Sequence, residues 1–184
     1  MADMAATIDT GTGRAMTDYP LHDEANTLID ASPEHLFAYL DDHARLGAHM
    51  EKRSMMMMGG RMTYLLDEAQ GRVVGSVIKM GGSFLGIALE VAEIVAERDP
   101  PRRKVWQTQV RPRLLIIDRY RMGFEIAPVE NQSRLRVFID YERPSSLTGR
   151  LLGALFARLY ARWCVSRMAE DAMQHFDKRV VPAA

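Results

Sequence analysis

The chain has one cysteine, Cys164, in 184 residues. No intrachain disulfide can form, so nothing calls for an oxidising compartment, and cytoplasmic residence is the expectation. Neither sign of charge is in excess: Lys and Arg total 24, and so do Asp and Glu. Without a net field, nucleic acid and anionic membrane are not expected as primary partners. Zero net charge also leaves little repulsion between copies, which is compatible with a homodimer. The chain lacks the ~18 consecutive apolar residues of a membrane span. The nearest approach, 147–165, is broken by Arg150, Arg158 and Arg162, so no stable membrane insertion is expected. Residues 1–18 lack the basic start and apolar core of a secretory signal and read as a disordered lead. Phosphate-binding and nucleophile-elbow motifs are missing too. Gly81-Gly82-Ser83-Phe84-Leu85-Gly86 is glycine-rich, but no helix follows to aim its N-terminus at a phosphate. No cofactor is expected.

What is present suits one domain over 19–184. Hydrophobic residues make up 47% of the chain, enough for a single core and too few to bury two. The expected fold is α+β. Ala25–Asp30 reads as a strand. Ser32 is then an N-cap and Pro33 the first helical residue. Leu36, Phe37 and Leu40 form an apolar stripe at helical spacing. A second short helix begins at Asp41 or Asp42. From Arg61 the period changes to two. Met62–Leu66 reads as a strand, 67–71 as its turn, and Arg72–Met80 as the return, with a bend or bulge at Gly81-Gly82. Leu85–Glu97 is a long apolar strand stopped by Asp99-Pro100-Pro101. Lys104–Val110 follows. The cleanest alternation comes last. Tyr120, Met122, Phe124 and Ile126 oppose Arg119, Arg121 and Glu125, and Leu135, Val137, Ile139 and Tyr141 oppose Arg134, Arg136 and Asp140. Asn131-Gln132-Ser133 supplies the turn between these strands.

A long helix, 145–178, closes the chain. Its apolar stripe rotates. Leu152, Phe156, Leu159 and Trp163 share one face, and Val165, Met168, Ala169, Ala172, Met173 and Phe176 another, with Leu151 and Leu155 grouped in the second set. One face can cover the sheet. The other must meet the short helices, a ligand or a second molecule, because a monomer rarely leaves so many large apolar residues together in water.

The opening Leu28-Ile29-Asp30-Ala31-Ser32-Pro33-Glu34-His35-Leu36-Phe37-Ala38-Tyr39-Leu40 and the closing helix resemble the START-like (SRPBCC) superfamily, and within it the polyketide cyclase/dehydrase-type proteins. The resemblance implies a helix-grip fold: a curved antiparallel sheet of six or seven strands around a long C-terminal helix, with two short N-terminal helices. It implies an internal cavity for a hydrophobic small molecule or lipid. Cyclase or aromatase chemistry is an alternative, and docking of a partner or membrane through the last helix is another. Fold alone does not choose among them.

The alternating strand faces and the helix stripe make Trp106, Tyr120, Met122, Phe124, Val137, Ile139, Tyr141, Leu151 and Leu155 the expected ligand-binding residues. No catalytic set stands out. His43, His49 and Glu51 lie near the second helix, but not at the spacing that places two metal ligands on one helical face. They read as solvated surface groups, and no metal site is expected. Met55–Met58 could line a pocket or simply fill gaps. Asp118 and Arg119 read as a surface pair. The arginines at 111, 113, 119, 121, 134 and 136 read as a solvated convex face offset by Glu125 and Asp140, and Cys164 as a buried apolar residue.

Overall fold

The computed structural model describes residues 19–46, 61–84, 87–109, 112, 114 and 116–177. Met55–Met58, His49 and Glu51 lie outside them, as does the 1–18 lead. Seven strands form one antiparallel sheet in the order β1-β7-β6-β5-β4-β3-β2. They are β1 (Leu21–Ile29), β2 (Arg61–Leu66), β3 (Val77–Phe84), β4 (Ile87–Asp99), β5 (Arg103–Thr108), β6 (Tyr120–Val129) and β7 (Gln132–Tyr141). Two short helices, α1 (Pro33–Leu40) and α2 (His43–Leu46), lead from β1 toward β2. The long helix α3 (Leu147–Asp177) ends the fold. This is the expected helix-grip plan, with seven strands.

Local chemistry sets the boundaries. Ser32 Oγ accepts the His35 N–H at 3.4 Å, capping α1, and Asp41 closes it by donating its N–H to the Phe37 carbonyl at 2.8 Å. The return strand starts at Val77 rather than Arg72. Asp67 explains the delay. Its carboxylate accepts Ser76 Oγ at 2.6 Å and the Val77 N–H at 2.8 Å, so 67–74 folds on itself, and only Gly75 and Ser76 bond Val95 of β4 before the strand begins. Gly81 and Gly82 do not bend the chain. They continue β3, with ladder partners in both β2 and β4, and satisfied bonds on both sides keep the strand running. The β6–β7 turn is shorter than expected: Val129 faces Gln132 across two residues, and Glu130 carries the positive φ of 52°.

The sheet is buried on its concave side by Val91, Val95, Trp106, Phe124, Ile126, Leu135, Val137 and Ile139, against Leu36, Phe37 and Leu40 of α1. Burying each such side chain contributes about 1.5–3 kcal/mol. The convex side carries charges, and Glu125 is shared by Arg103 and Arg136, as the charge pattern implies. Two apolar residues are nevertheless buried there, Val105 and Phe138. Phe138 lies under the guanidinium groups of Arg103 and Arg136, 5.5 and 5.1 Å from its ring centre. Gly123 makes its place, because a Cβ there would stand 2.8 Å from Phe138 Cζ.

Helix α3 packs along β1 and β7 and reaches α1. Tyr39 stacks on His175 at 4.2 Å and meets Phe176 edge-on at 5.7 Å. The buried side of the first half of α3 is built of small residues, Gly153, Ala157, Ala161 and Cys164. That of its second half adds larger residues, Val165, Met168 and Phe176, to Ala169 and Ala172. Small residues let the helix approach closely; a Cβ on Gly153 would lie 3.0 Å from the Ile116 carbonyl. Close approach, rather than leucine content, decides which side faces in.

Candidate functional site

The expected ligand-binding residues divide in two. Trp106, Tyr120, Met122, Phe124, Val137, Ile139 and Tyr141 are all buried on the concave face. Leu151 and Leu155 are not: they are 66% and 65% exposed, on the solvent side of α3. Leu152, Phe156 and Leu159 are exposed beside them and Trp163 is half-buried, so no described part of this chain covers that face. The correction follows from the small-residue seam, which turns the leucines outward.

Burial of the concave face is uneven. Around α1 it is more tightly closed, with Leu36, Leu40, Phe124, Leu135 and Val137 at 0%, though Phe37 keeps 4% and Asp41 6%. At the other end, Leu89, Thr108, Asp118, Tyr120 and Met122 each keep 8%. Thr108, Tyr120 and Met122 lie together. Thr108 pairs across β4–β5 with Glu93, and its hydroxyl bonds the Tyr120 backbone, accepting the N–H at 3.3 Å and donating to the carbonyl at 3.4 Å. Met122 is the β6 partner of Trp106.

A polar group is set into this end of the sheet. Glu93 is on the inward side of β4, between Val91 and Val95, and only 3% exposed. One carboxylate oxygen accepts a short hydrogen bond from Tyr120 OH. The other lies 3.8 Å from His43 Nε2. His43, the first residue of α2, is 4% exposed and meets Trp106 edge-on at 4.8 Å. The surface reading of His43 is therefore corrected. The 67–76 loop packs beside it: a Cβ on Gly71 would sit 3.6 Å from His43 Cβ, and Gly71 takes a φ of 72° there. His43 Nδ1 is buried without a hydrogen-bond partner among the described residues. A carboxylate, a phenol and an imidazole within reach of one another can anchor a polar ligand atom or move a proton.

A second polar group lies at the sealed end. Lys104, on the inward side of β5, is 0% exposed. Its Nζ donates to the Asp41 carbonyl at 3.0 Å and to Asp41 Oδ1 at 2.8 Å. Arg98 donates to both oxygens of the same carboxylate, at 3.2 and 2.9 Å. Burial alone would raise the Asp41 pKa, but the hydrogen bonds from Arg98 and Lys104 outweigh it and hold the carboxyl below its ordinary value. Burial lowers the Lys104 pKa, against the pull of Asp41. This group clamps α1 to the sheet.

Tyr141 faces a different task from the other buried aromatics. It donates to Asp23 Oδ2 at 3.0 Å, and Arg162 of α3 donates to Oδ1 at 2.9 Å. Burial first, and then the Asp23 hydrogen bond, push the Tyr141 hydroxyl up to about 12, so it serves helix docking. Asp118 is buried rather than part of a surface pair, and Arg119 bonds Glu142. Cys164 is buried as expected, and burial pushes its thiol up to about 12. Among the described residues there is no group of His, Cys, Asp and Glu that could hold a metal, and no helix is long and apolar enough to cross a membrane. Sequence reading missed Glu93, Lys104 and Asp41. A signal was available: each of the two strand residues is a charge at an inward position of its alternating strand.

No protein-family model and no curated relative matches the sequence. Solved structures do match in shape. A protein from Thermus thermophilus is 16% identical with a TM-score of 0.63, over 88% of this chain and 100% of its own. The Zhui aromatase/cyclase from Streptomyces sp. R1128 is 16% identical with a TM-score of 0.60, over 89% and 98%. A START superfamily protein from Mycobacterium smegmatis is 13% identical with a TM-score of 0.55, over 84% and 97%. At these identities the likeness is one of fold: the chain has the START-like helix-grip architecture.

Proposed function

We propose that this protein binds a hydrophobic small molecule or lipid against the concave face of its sheet, at the end marked by Leu89, Thr108, Tyr120 and Met122. The observation that carries the reading is the uneven burial of that face. A sheet serving only as core has no reason to be closed at one end and keep accessible area on neighbouring Thr108, Tyr120 and Met122 at the other. Trp106 and Ile139, the strand partners of Met122, are the apolar wall behind the ligand, and Phe124 and Val137 continue it toward the sealed end. Leu151 and Leu155 have no part in it. Cytoplasmic residence belongs to the same proposal and rests on the single cysteine.

The test uses the apolar fluorophore N-phenyl-1-naphthylamine. Saturable one-to-one binding is expected, weakened about tenfold by Met122→Trp, which fills the open end. If the dye binds wild type and variant alike, its site is elsewhere and the reading falls.

An aromatase/cyclase-like activity is a second reading, favoured by the buried Glu93 carboxylate beside a phenol and an imidazole and by the likeness to the Streptomyces enzyme. Turnover of a poly-β-ketone thioester that is lost in Glu93→Ala would support it; no turnover would remove it. Docking through α3, as a homodimer or on a membrane, is favoured by the exposed Leu151, Leu155 and Phe156. Light scattering and liposome flotation of Phe156→Glu decide it: no change in mass or flotation would end that reading.

A further inference from the structure

The binding site proposed above has one nitrogen that the protein leaves unused. His43 Nδ1 is buried and has no hydrogen-bond partner among the described residues. A buried polar atom left unpaired is costly, and folded proteins rarely retain one without a use. The rest of the ring is fixed. Gly71 and Ile78 crowd the loop against α2, and Trp106 packs edge-on. Glu93 faces Nε2 at 3.8 Å, too long for a hydrogen bond but close enough for the carboxylate's charge to favour a proton on that nitrogen. Tyr120, donating to the far oxygen, holds the carboxylate in place. In the neutral ring a proton on Nε2 leaves a lone pair on Nδ1. That lone pair accepts. It needs a donor, and the ring's neighbours lead to the accessible end: Glu93 is bonded by Tyr120, and Trp106 pairs with Met122.

Resting on the reading that an apolar ligand binds at that end, we propose that His43 Nδ1 is its polar anchor. The ligand it selects carries a hydroxyl group on an otherwise apolar body, as a phenol, a sterol or a long-chain alcohol does. Glu93 is a positioning residue: it sets which ring nitrogen holds the proton and so whether the anchor accepts or donates. Selection by a buried acceptor is sharp, because an analogue without the hydroxyl leaves the nitrogen unpaired.

Three probes of similar size separate the possibilities: 2-naphthol, which can donate; 2-methoxynaphthalene, which only accepts; and 2-methylnaphthalene, which does neither. Affinities are read by isothermal titration, with folding of each variant checked by thermal melting. The wild type is expected to bind 2-naphthol about tenfold more tightly than the other two. In His43→Phe the three should bind within about twofold of one another, the methyl compound unaffected. Glu93→Gln gives a readout that a structural role would not. With its oxygen kept on Tyr120, the amide presents N–H to Nε2, moves the ring proton to Nδ1 and makes the anchor a donor. Methoxynaphthalene should then gain on methylnaphthalene. Equal binding of all three probes to the wild type overturns the anchor while leaving the apolar site intact. So does a preference for 2-naphthol that survives His43→Phe, or an unchanged methoxy-to-methyl ratio in Glu93→Gln. Binding of none of the three overturns the site itself.

Discussion

The concave face holds two buried polar groups at opposite ends, and they differ in how far they are satisfied. At the sealed end, the Asp41 carboxylate takes hydrogen bonds from Lys104 and Arg98. At the accessible end, Glu93 is bonded by Tyr120, but the neighbouring His43 has a nitrogen with no partner among the described residues. Lys104 and Glu93 lie on inward positions of adjacent strands, and both reach the same pair of short helices. Asp41 closes α1, and His43 opens α2 two residues later. A buried charge that is fully paired tells of assembly. A buried group with a free valence tells of something that still has to arrive. The pairing, and not the burial, separates the clamp from the candidate site.

The largest expected effect tests the clamp. Asp41→Ala leaves Lys104 buried without its carboxylate and should cost about 3–5 kcal/mol in urea unfolding. A loss below about 1 kcal/mol would mean that the sealed end does not depend on the pair. At the other end the sign should reverse. The double variant Glu93→Leu/His43→Phe replaces imperfectly paired polar groups with apolar ones. It should leave stability unchanged or raise it by about 1 kcal/mol or more. A loss like that of Asp41→Ala would make both groups structural and erase the contrast.

The acid limb of stability sharpens the same comparison. Asp41 has a folded pKa below the ordinary aspartate value of 3.8. Its contribution is therefore complete above that value and is lost as the pH falls through the lower, folded one. Asp41→Asn should flatten the limb in that window, measured by urea midpoints from pH 5 downward. On the outside of α3, Leu155→Glu should change stability by no more than about 0.5 kcal/mol, since the residue is 65% exposed. Unfolding of that variant would place the leucine in the core. A similarly small effect is expected on the convex face. The Asp140 hydrogen bond raises the His22 pKa above 6.5, so the contribution is present below 6.5 and disappears as the pH rises through the folded value. For so exposed a pair it is about 0–1 kcal/mol and weakens with salt. A melting temperature for His22→Gln that tracks wild type from pH 5 to 9 would reduce it to nothing.

The inward stripe of β6 and β7 is legible because one buried face and one wet face leave a period of two in the residues themselves. Ser32 and Pro33 announce α1 because a cap acts within three or four residues. The same local reasoning misplaces Arg72–Ser76, where the Asp67 side chain reaches nine residues along the chain to Ser76. It also places Leu151 and Leu155 inside, because hydropathy counts apolar area and says nothing of how near two elements can come. His43 looks like a surface histidine for a related reason: a single polar residue carries no sign of what will lie over it.

Periodicity, capping and turn residues, each acting over a few positions, are enough to set the order of the elements, the antiparallel sheet, the long final helix and the apolar strand faces. Packing in three dimensions settles the rest. It puts a seam of glycine and alanine, not leucine, on the inward side of the first half of α3. It joins Lys104 to Asp41 in a clamp and brings His43, Glu93 and Tyr120 together. The contacts of His43 and Glu93 span 50 residues of chain and those of Glu93 and Tyr120 span 27. They exist because strand register and the α2 position converge in space, which no local pattern encodes.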